Sequence, residues 1–187
     1  SAAVESAIRR STPWFLHKKI LVIHNGIESS GLVRVCDMQG FNIIYVGRIS
    51  PGKGLDFLLD ALDLFSHDDA RSWSLSVVGS AFPGYECYEE VIKKRLSSLS
   101  FSGKSEFYGY VENARKLISD SDLLVLPSSS PDSFPTVVLE AMAEGTPVLV
   151  TDSGGASEMI SNEVTGLIVP PGSATELFLA IKNVYEN

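Results

Sequence analysis

Short apolar runs alternate with helix-patterned segments along most of the chain. These runs predict seven strands, which are Ile20–His24, Ile43–Gly47, Leu75–Gly79, Glu106–Tyr108, Leu123–Pro127, Val148–Thr151 and Leu167–Val169. Most of the runs are apolar throughout rather than at every second position. Continuous apolar runs of this length are typical of strands that are buried on both faces of a parallel sheet.

Segments with apolar residues three and four positions apart lie between these runs. They predict helices at Leu55–Phe65, Tyr88–Leu99, Asn113–Ser119, Val137–Glu144, Ala156–Ser161 and Ala174–Tyr185. A strand followed by a helix, repeated along the chain, predicts an α/β fold with a doubly wound parallel sheet. Ligands of such sheets bind at the carboxyl ends of the strands.

The first forty residues do not follow this alternation. Ser1–Lys19 is weakly periodic, and Ser29–Gly40 is polar without a clear element. We therefore predict a connecting segment over residues 1–40 and a single domain over residues 41–187, since one α/β domain is the simplest count for 187 residues.

The stretch from Pro127 to Thr151 carries the most informative chemistry. A polar loop contains the carboxylate of Asp132 and the sequence Phe134-Pro135-Thr136, and the helix-patterned segment that follows contains Glu140. The free N–H groups and the dipole at a helix start favour an anion. Carboxylates on either side can accept hydrogen bonds from hydroxyl groups, so the layout suits a nucleotide-sugar, with its sugar, diphosphate and ribose. Asp132 also stands in good turn chemistry, which is the alternative interpretation of that residue.

The loop Val46–Gly54 offers two cations to a phosphate group. Its pattern, GxxxxGK followed by glycine, lacks the Ser or Thr with which a Walker loop holds magnesium, and Gly54 cannot replace it. Arg48 and Lys53 can bind phosphate oxygens directly, without a metal. The alternative is that both are solvated loop charges.

Composition and charge exclude several classes of function. The net charge of −8 and the pI of about 4.8 argue against a nucleic-acid partner. Cys36 and Cys87 form no CxxC motif, which favours reduced thiols in the cytoplasm over a disulfide. The histidines show no metal-ligand spacing, so no metal site is predicted, and the sequence shows neither a membrane span nor a signal peptide.

Five blocks in this order resemble the C-terminal half of GT-B glycosyltransferases of the large retaining family four, the glycosyl transferases group 1. They are VGRISPGKGLDFLLDAL, YGYVEN, SDLLVLPS, DSFPTVVLEAMAEGTPVLVTDSGGASEMI and TGLIVPPG. The resemblance covers Lys19 to Asn187, and His24–Glu28 resembles the passage from the acceptor domain into the donor domain. It implies a Rossmann-like, nucleotide-sugar-binding half of a GT-B enzyme that lacks its acceptor domain.

The resemblance also implies roles for the charged residues. Arg48 and Lys53 match the diphosphate clamp of the family, and Glu140 matches the glutamate that binds the ribose hydroxyls. Asp132 stands where the family usually has a glutamate that contacts the donor sugar near the reacting carbon. Its side chain is one methylene shorter, so its carboxylate retreats by roughly one carbon–carbon bond.

Further donor contacts follow from the same resemblance. They are expected at Gly47, Phe134, Pro135, Thr136 and Val137, and the backbone N–H groups of Phe134, Thr136 and Val137 should point toward the sugar and phosphate. Tyr110-Val111-Glu112 resembles the loop that packs against the nucleobase. We expect a structural role for Gly154-Gly155 as a tight turn and for Glu158 in the first turn of a helix.

The activity that the resemblance implies is transfer of a sugar, with retention, from a nucleoside diphosphate to an acceptor hydroxyl in polysaccharide biosynthesis. No metal or other cofactor is expected. The acceptor, a saccharide or a lipid-linked molecule, would bind the missing domain, and this fragment alone would bind donor without turnover. We expect a cytoplasmic enzyme whose other half, rather than this one, can contact the inner face of the membrane.

Three alternatives to this activity stay open. A non-catalytic nucleotide-sugar-binding module is favoured if Asp132 disables the site. A GT-B sugar epimerase shares the sheet but lacks the same combination of Arg-Lys loop and EAMAEGTPV block. A dinucleotide-binding dehydrogenase requires a GxGxxG motif that the sequence does not contain.

Overall fold

A computed structural model of the chain describes residues 1–28, 40–68, 73–98 and 104–187. Its centre is a six-stranded sheet in the order β3-β2-β1-β4-β5-β6, and all neighbouring strands are parallel. The strands are β1 (Phe41–Val46), β2 (Trp73–Val78), β3 (Lys104–Gly109), β4 (Leu123–Leu126), β5 (Val148–Thr151) and β6 (Leu167–Val169). The predicted doubly wound α/β fold is confirmed.

The strand order reverses at β1. Phe41 of β1 lies opposite Trp73 of β2, and Ile43 of β1 lies opposite Leu123 of β4 on the other side. The chain thus builds outward to β3 and then returns past β1 to form β4. The connections leave the two central strands in opposite directions, so a crevice opens at the carboxyl ends of β1 and β4.

Helices cover both faces of the sheet. They are α2 (Leu55–Asp68), α3 (Glu86–Ser98), α4 (Arg115–Ser119), α5 (Thr136–Glu144) and α6 (Ala174–Glu186), whereas α1 (Ala2–Ser11) buries no residue. On one face Tyr45 of β1 lies in a core with Leu58 of α2 and Leu177 of α6. On the other face Ile44 of the same strand lies in a core with Val138 of α5. Burial on both faces explains why β1, β4 and β5 are apolar at consecutive positions.

One predicted strand is wrong. Ile20–His24 has no regular structure, and Leu21 and Ile23 are each 80% exposed. The run has the apolar character of a buried strand, but no strand in the described ranges lies beside it. An apolar run becomes a strand only when a neighbour supplies the backbone hydrogen bonds and the burial.

The beginning of the chain contains more structure than its weak periodicity predicts. Ser1 caps α1 by accepting a hydrogen bond from the Val4 amide, and Glu5 pairs with Arg9 one turn later. A 3-10 helix follows at Trp14–Lys19. These local interactions, rather than a buried face, explain why apolar periodicity did not reveal α1.

Two other predictions have different outcomes. The helix predicted at Ala156–Ser161 is only a 3-10 turn at Ser157–Met159, because Ile160 already has extended backbone angles. The polar stretch predicted at Ser29–Gly40 lies almost wholly outside the described residues, as does Cys36, whereas Cys87 is an exposed free thiol. In the part of the chain that the structure describes, no helix is long and apolar enough to cross a membrane.

Candidate functional site

A cleft of about 320 Å³ lies at the carboxyl ends of β1 and β4. It brings together all the predicted site residues except Phe134 and Tyr110, namely Gly47, Arg48, Lys53, Val111, Asp132, Pro135, Thr136, Val137 and Glu140. They come from the loops after β1, β3 and β4 and from the first turns of α5. The parallel sheet explains the gathering, because these loops all leave the same edge.

The loop after β1 is docked against the loop after β4 by backbone contacts. The amides of Ser129 and Ser130 both donate to the Gly52 carbonyl, at 3.1 and 3.0 Å. Gly54 has a φ of 68°, and a Cβ built there would lie 1.9 Å from the Pro127 carbonyl oxygen. A glycine is therefore required for the approach that places Lys53 at the cleft.

Lys53 forms an ion pair with Asp132 across the cleft wall. The Lys53 Nζ donates to Asp132 Oδ2, and the two side chains are 17% and 16% exposed. The backbone of Asp132 is held on both sides, because its amide donates to Ser153 at 2.9 Å and its carbonyl accepts from Gly155 at 2.7 Å. The predicted cation and the predicted carboxylate therefore contact each other, which sequence reasoning did not foresee.

Arg48 is held at its backbone by a buried tyrosine. The Tyr45 hydroxyl donates to the Arg48 carbonyl at 2.8 Å. Burial, together with the charges of Tyr88 and Asp132, raises the pKa of Tyr45 far above its ordinary value. Tyr45 thus stays protonated and remains a hydrogen-bond donor. The Arg48 guanidinium lies over the ring of Phe82, 5.3 Å from its centroid.

The first turn of α5 presents backbone donors to the cleft. Pro135 precedes the helix without a capping side-chain hydrogen bond, and Thr136 and Val137 line the cleft directly after it. The first N–H groups of a helix have no partner within the helix. Together with Arg48 and Lys53 they can bind an anionic group that carries two charges.

Glu140 connects the cleft to a second, wider hollow of about 720 Å³. That hollow is bounded by residues 26–28 of the connecting segment and by residues 112–115 before and within α4. Arg115 secures the segment, because its Nη2 donates to the Glu28 carbonyl, and its Nε lies 3.6 Å from the buried carboxylate of Glu144. No motif or periodicity in the sequence predicts this role of Arg115.

Phe134 and Tyr110 do not line the cleft. The Phe134 ring stacks on His24 of the connecting segment, with centroids 4.8 Å apart and planes inclined by 3°. His24 Nε2 lies 3.7 Å from Glu158 Oε2. Tyr110 is strongly exposed beyond the end of β3. The ring of Phe134 therefore contacts the connecting segment, and its backbone directly precedes Pro135.

Glu158 has a structural role, but in a different helix from the one predicted. Its carboxylate accepts hydrogen bonds from the amides of Ala2 and Ala3, at 2.7 and 2.6 Å, at the start of α1. Burial opposes ionisation, but these hydrogen bonds outweigh it and lower the pKa of Glu158. The carboxylate caps α1 rather than its own short 3-10 turn.

Within the described residues, no group of three or more His, Cys, Asp or Glu side chains is arranged to hold a metal ion.

Comparison with known proteins identifies the family. Residues 36–187 match the family described as Glycosyl transferases group 1. An uncharacterized glycosyltransferase of Methanocaldococcus jannaschii is 31% identical over 183 residues, which cover 89% of this chain and 45% of that protein. The phosphatidyl-myo-inositol mannosyltransferase of Mycobacterium leprae is 28% identical, over 99% of this chain and 49% of the relative.

A solved structure supports the same fold. Anabaena HepE, crystallised in complex with UDP and glucose, superimposes with a TM-score of 0.87 at 25% identity. The superposition covers 100% of this chain and 52% of HepE. The chain therefore spans about half the length of the relatives that it matches.

Proposed function

The chain belongs to the glycosyl transferases group 1 family, and on that basis we propose that its cleft binds a nucleoside-diphosphate sugar for retaining transfer to an acceptor hydroxyl. The observation that carries the proposal is the convergence of Arg48, Lys53 and the start of α5 on one cleft, with Glu140 at its end. Two cations and a set of free N–H groups match a diphosphate, and a carboxylate matches a ribose diol.

In the proposed reaction, negative charge develops close to the cations and hydrogen-bond donors of the cleft. As the bond between the anomeric carbon and the diphosphate breaks, charge grows on the leaving phosphate. Arg48, Lys53 and the α5 amides stabilise that charge, and electrostatic stabilisation of this kind is usually the largest single contribution to catalysis. Asp132 lies beside Lys53 and faces the sugar end of the donor. No divalent metal is needed in this scheme, because the two side-chain cations replace it.

The acceptor is assigned to a part of the enzyme beyond this chain. The relatives are about twice as long as the matched region, and Leu21 and Ile23 present apolar surface of the kind that another protein surface covers. We propose a saccharide or lipid-linked acceptor, used in polysaccharide or glycolipid synthesis on the cytoplasmic side of the membrane. The charge of −8 gives this half no attraction for anionic lipid.

A thermal-shift panel tests the proposal. The chain is heated with UDP, GDP, ADP and their sugars, since a ligand that binds only the folded state raises the unfolding midpoint. At least one nucleoside diphosphate should raise the midpoint, and EDTA should not abolish the shift. If no compound of the panel raises the midpoint at millimolar concentration, the proposed function is wrong.

A non-catalytic nucleotide-sugar-binding module is the second candidate. The ion pair between Asp132 and Lys53 favours it, because a carboxylate engaged by lysine is less available to the donor sugar. The two candidates differ in turnover. The whole enzyme should hydrolyse its donor slowly when no acceptor is present, and Glu140→Ala should abolish that hydrolysis. Binding without any hydrolysis or transfer would favour the module.

A further inference from the structure

The loop after β2 places an aromatic ring against one of the two cations of the cleft. The Arg48 guanidinium carbon lies 5.3 Å from the centroid of the Phe82 ring, within the range of a cation–π contact. Phe82 is 49% exposed. Phe82 does not line the cleft itself, so its relation to the site runs through Arg48.

The loop that carries Phe82 is tied to the loop that carries Arg48. Ile49 and Ala81 form a parallel bridge, and the Ile49 amide donates to the Ser80 carbonyl at 2.9 Å. The residues next to Arg48 and Phe82 are therefore paired directly. This pairing continues the register of β1 and β2 past the end of the sheet, so the two loops keep a fixed separation.

A carboxylate from α3 fixes the same loop from the other side. The Ala81 amide donates to Glu89 Oε2, and Glu89 Oε1 lies 2.8 Å from Lys93 Nζ. The Glu89 side chain is only 16% exposed. Charge-assisted hydrogen bonds of this kind are among the stronger ones in proteins. The ring of Phe82 is thus supported by a chain of contacts that begins at Lys93.

An exposed arginine needs such support to bind phosphate well. Its long side chain loses rotamer freedom on binding, and that loss weakens the affinity. At Arg48 the carbonyl is fixed by Tyr45 and the guanidinium by Phe82, so both ends of the residue are ordered before a ligand arrives. Pre-ordering converts directly into affinity for the group that the guanidinium contacts.

We propose that Phe82 is a positioning residue that holds Arg48 for the donor diphosphate, and that Glu89 positions Phe82 by fixing its loop. This inference rests on the proposed function, because it assumes that Arg48 contacts the diphosphate. It adds a residue outside the cleft to the determinants of donor affinity.

A double-mutant cycle tests the proposal. Binding of UDP and GDP to the wild-type chain, Phe82→Ala, Arg48→Ala and the double variant is measured by calorimetry, and the tighter nucleotide is followed. Phe82→Ala should weaken binding about fourfold, the size of an exposed cation–π contact. It should have no further effect once Arg48 is alanine, because coupled residues are not additive. Phe82→Trp should restore affinity to within about twofold of the wild type, since tryptophan is the best cation–π partner.

Controls separate positioning from other roles. Tyr85, a ring of the same loop that is 43% exposed, provides the matched variant, and Tyr85→Ala should leave affinity unchanged. Glu89→Ala should weaken binding in the same direction and to a smaller extent. The unfolding midpoint of each variant shows whether it is folded.

Three results would contradict the account at different points. Full affinity in folded Phe82→Ala overturns the role of Phe82. An equal loss in the presence and absence of Arg48 also overturns it, and indicates that the ring contacts the nucleotide directly. Failure of the wild type to bind either nucleotide overturns the proposed function itself, whatever Phe82 does.

Discussion

At the scale of single residues, the ion pair between Lys53 and Asp132 strongly influences the electrostatic potential of the cleft. Both side chains are largely shielded from water, so each charge depends on its partner more than a surface pair would. A diphosphate that enters the cleft competes with Asp132 for the lysine. We therefore expect Asp132 to tune donor affinity through Lys53, in addition to any contact of its own with the sugar.

Replacement of Lys53 should remove most of the donor affinity. Loss of one partner from a shielded charge contact costs about 2 kcal/mol or more, which corresponds to a weakening of about thirtyfold. Calorimetry of Lys53→Ala with the nucleotide that binds the wild type measures this directly. Lys94, an exposed lysine of α3, is the matched control, and Lys94→Ala should bind as the wild type does. Equal affinity of Lys53→Ala and Lys94→Ala would show that Lys53 does not contact the ligand.

Glu89 should stabilise the fold at neutral pH and lose that effect in acid. The hydrogen bond from Lys93 lowers its pKa against the opposing effect of burial, and the Ala81 amide lowers it further. A folded-state pKa below the unfolded value near 4.5 means that the unfolded chain takes up the proton first as the pH falls. The stabilisation is therefore complete above that value and declines below it.

Urea unfolding of Glu89→Gln tests this dependence. Its free energy of unfolding should fall below that of the wild type by about 1 kcal/mol between pH 6 and 8. The difference should narrow as the pH drops below about 4.5. A difference that stays constant down to the acid limit of folding would show that the charge of Glu89 contributes nothing.

At the scale of the structural elements, the cleft depends on the close approach of the loops after β1 and β4. Gly54 and Gly84 both have positive φ, at 68° and 94°, but they differ in surroundings. A Cβ at Gly54 would collide with the Pro127 carbonyl oxygen, whereas a Cβ at Gly84 would meet nothing within 4 Å. The pair separates backbone strain from contact between the loops.

Gly54→Ala should destabilise the protein more than Gly84→Ala does. The positive φ alone costs about 1 kcal/mol in either variant. The collision at Gly54 adds to this, and we expect a total loss of about 3 kcal/mol or more in the free energy of unfolding. Chemical denaturation of the two variants measures the difference. Equal losses would show that the loop after β1 can move away from the Pro127 carbonyl without destabilising the protein, which would contradict a close contact between the two loops.

The sequence predicts elements well where burial follows a simple period. Strands β1, β4 and β5 are visible because both of their faces are covered, as at Ile43 and Ile44 on opposite sides of β1. The same reasoning fails at Ile20–His24, where the apolar pattern is present but no strand of the described residues lies beside it. It also misses α1, which depends on the cap at Ser1 and on Glu158, a residue 156 positions after the Ala2 amide that it binds.

The sequence predicts the position of the site residues but not the contacts between their side chains. Arg48, Lys53 and Asp132 could be placed together from the sequence, because the carboxyl ends of adjacent parallel strands share one edge. Their direct contacts could not, since the pairing of Lys53 with Asp132 and of Arg48 with Phe82 depends on loop conformations. Long-range partners such as Glu28 and Arg115 leave no periodic signal in the sequence.

At the scale of the whole molecule, a strongly acidic domain offers a local site for an anion. The net charge of −8 opposes the approach of a nucleotide sugar. Arg48, Lys53 and the start of α5 lie within one crevice of the sheet, and we propose that they overcome this opposition locally. We therefore propose that the diphosphate binds at the carboxyl ends of β1 and β4.

A crystal structure of the chain with the nucleoside diphosphate that it binds most tightly tests this claim most directly. We predict that the diphosphate lies within hydrogen-bond distance of Arg48, Lys53 and the first amides of α5, with the ribose hydroxyls on Glu140. A nucleotide bound elsewhere on the chain, or bound in this crevice with its phosphates directed away from both cations, would contradict the account.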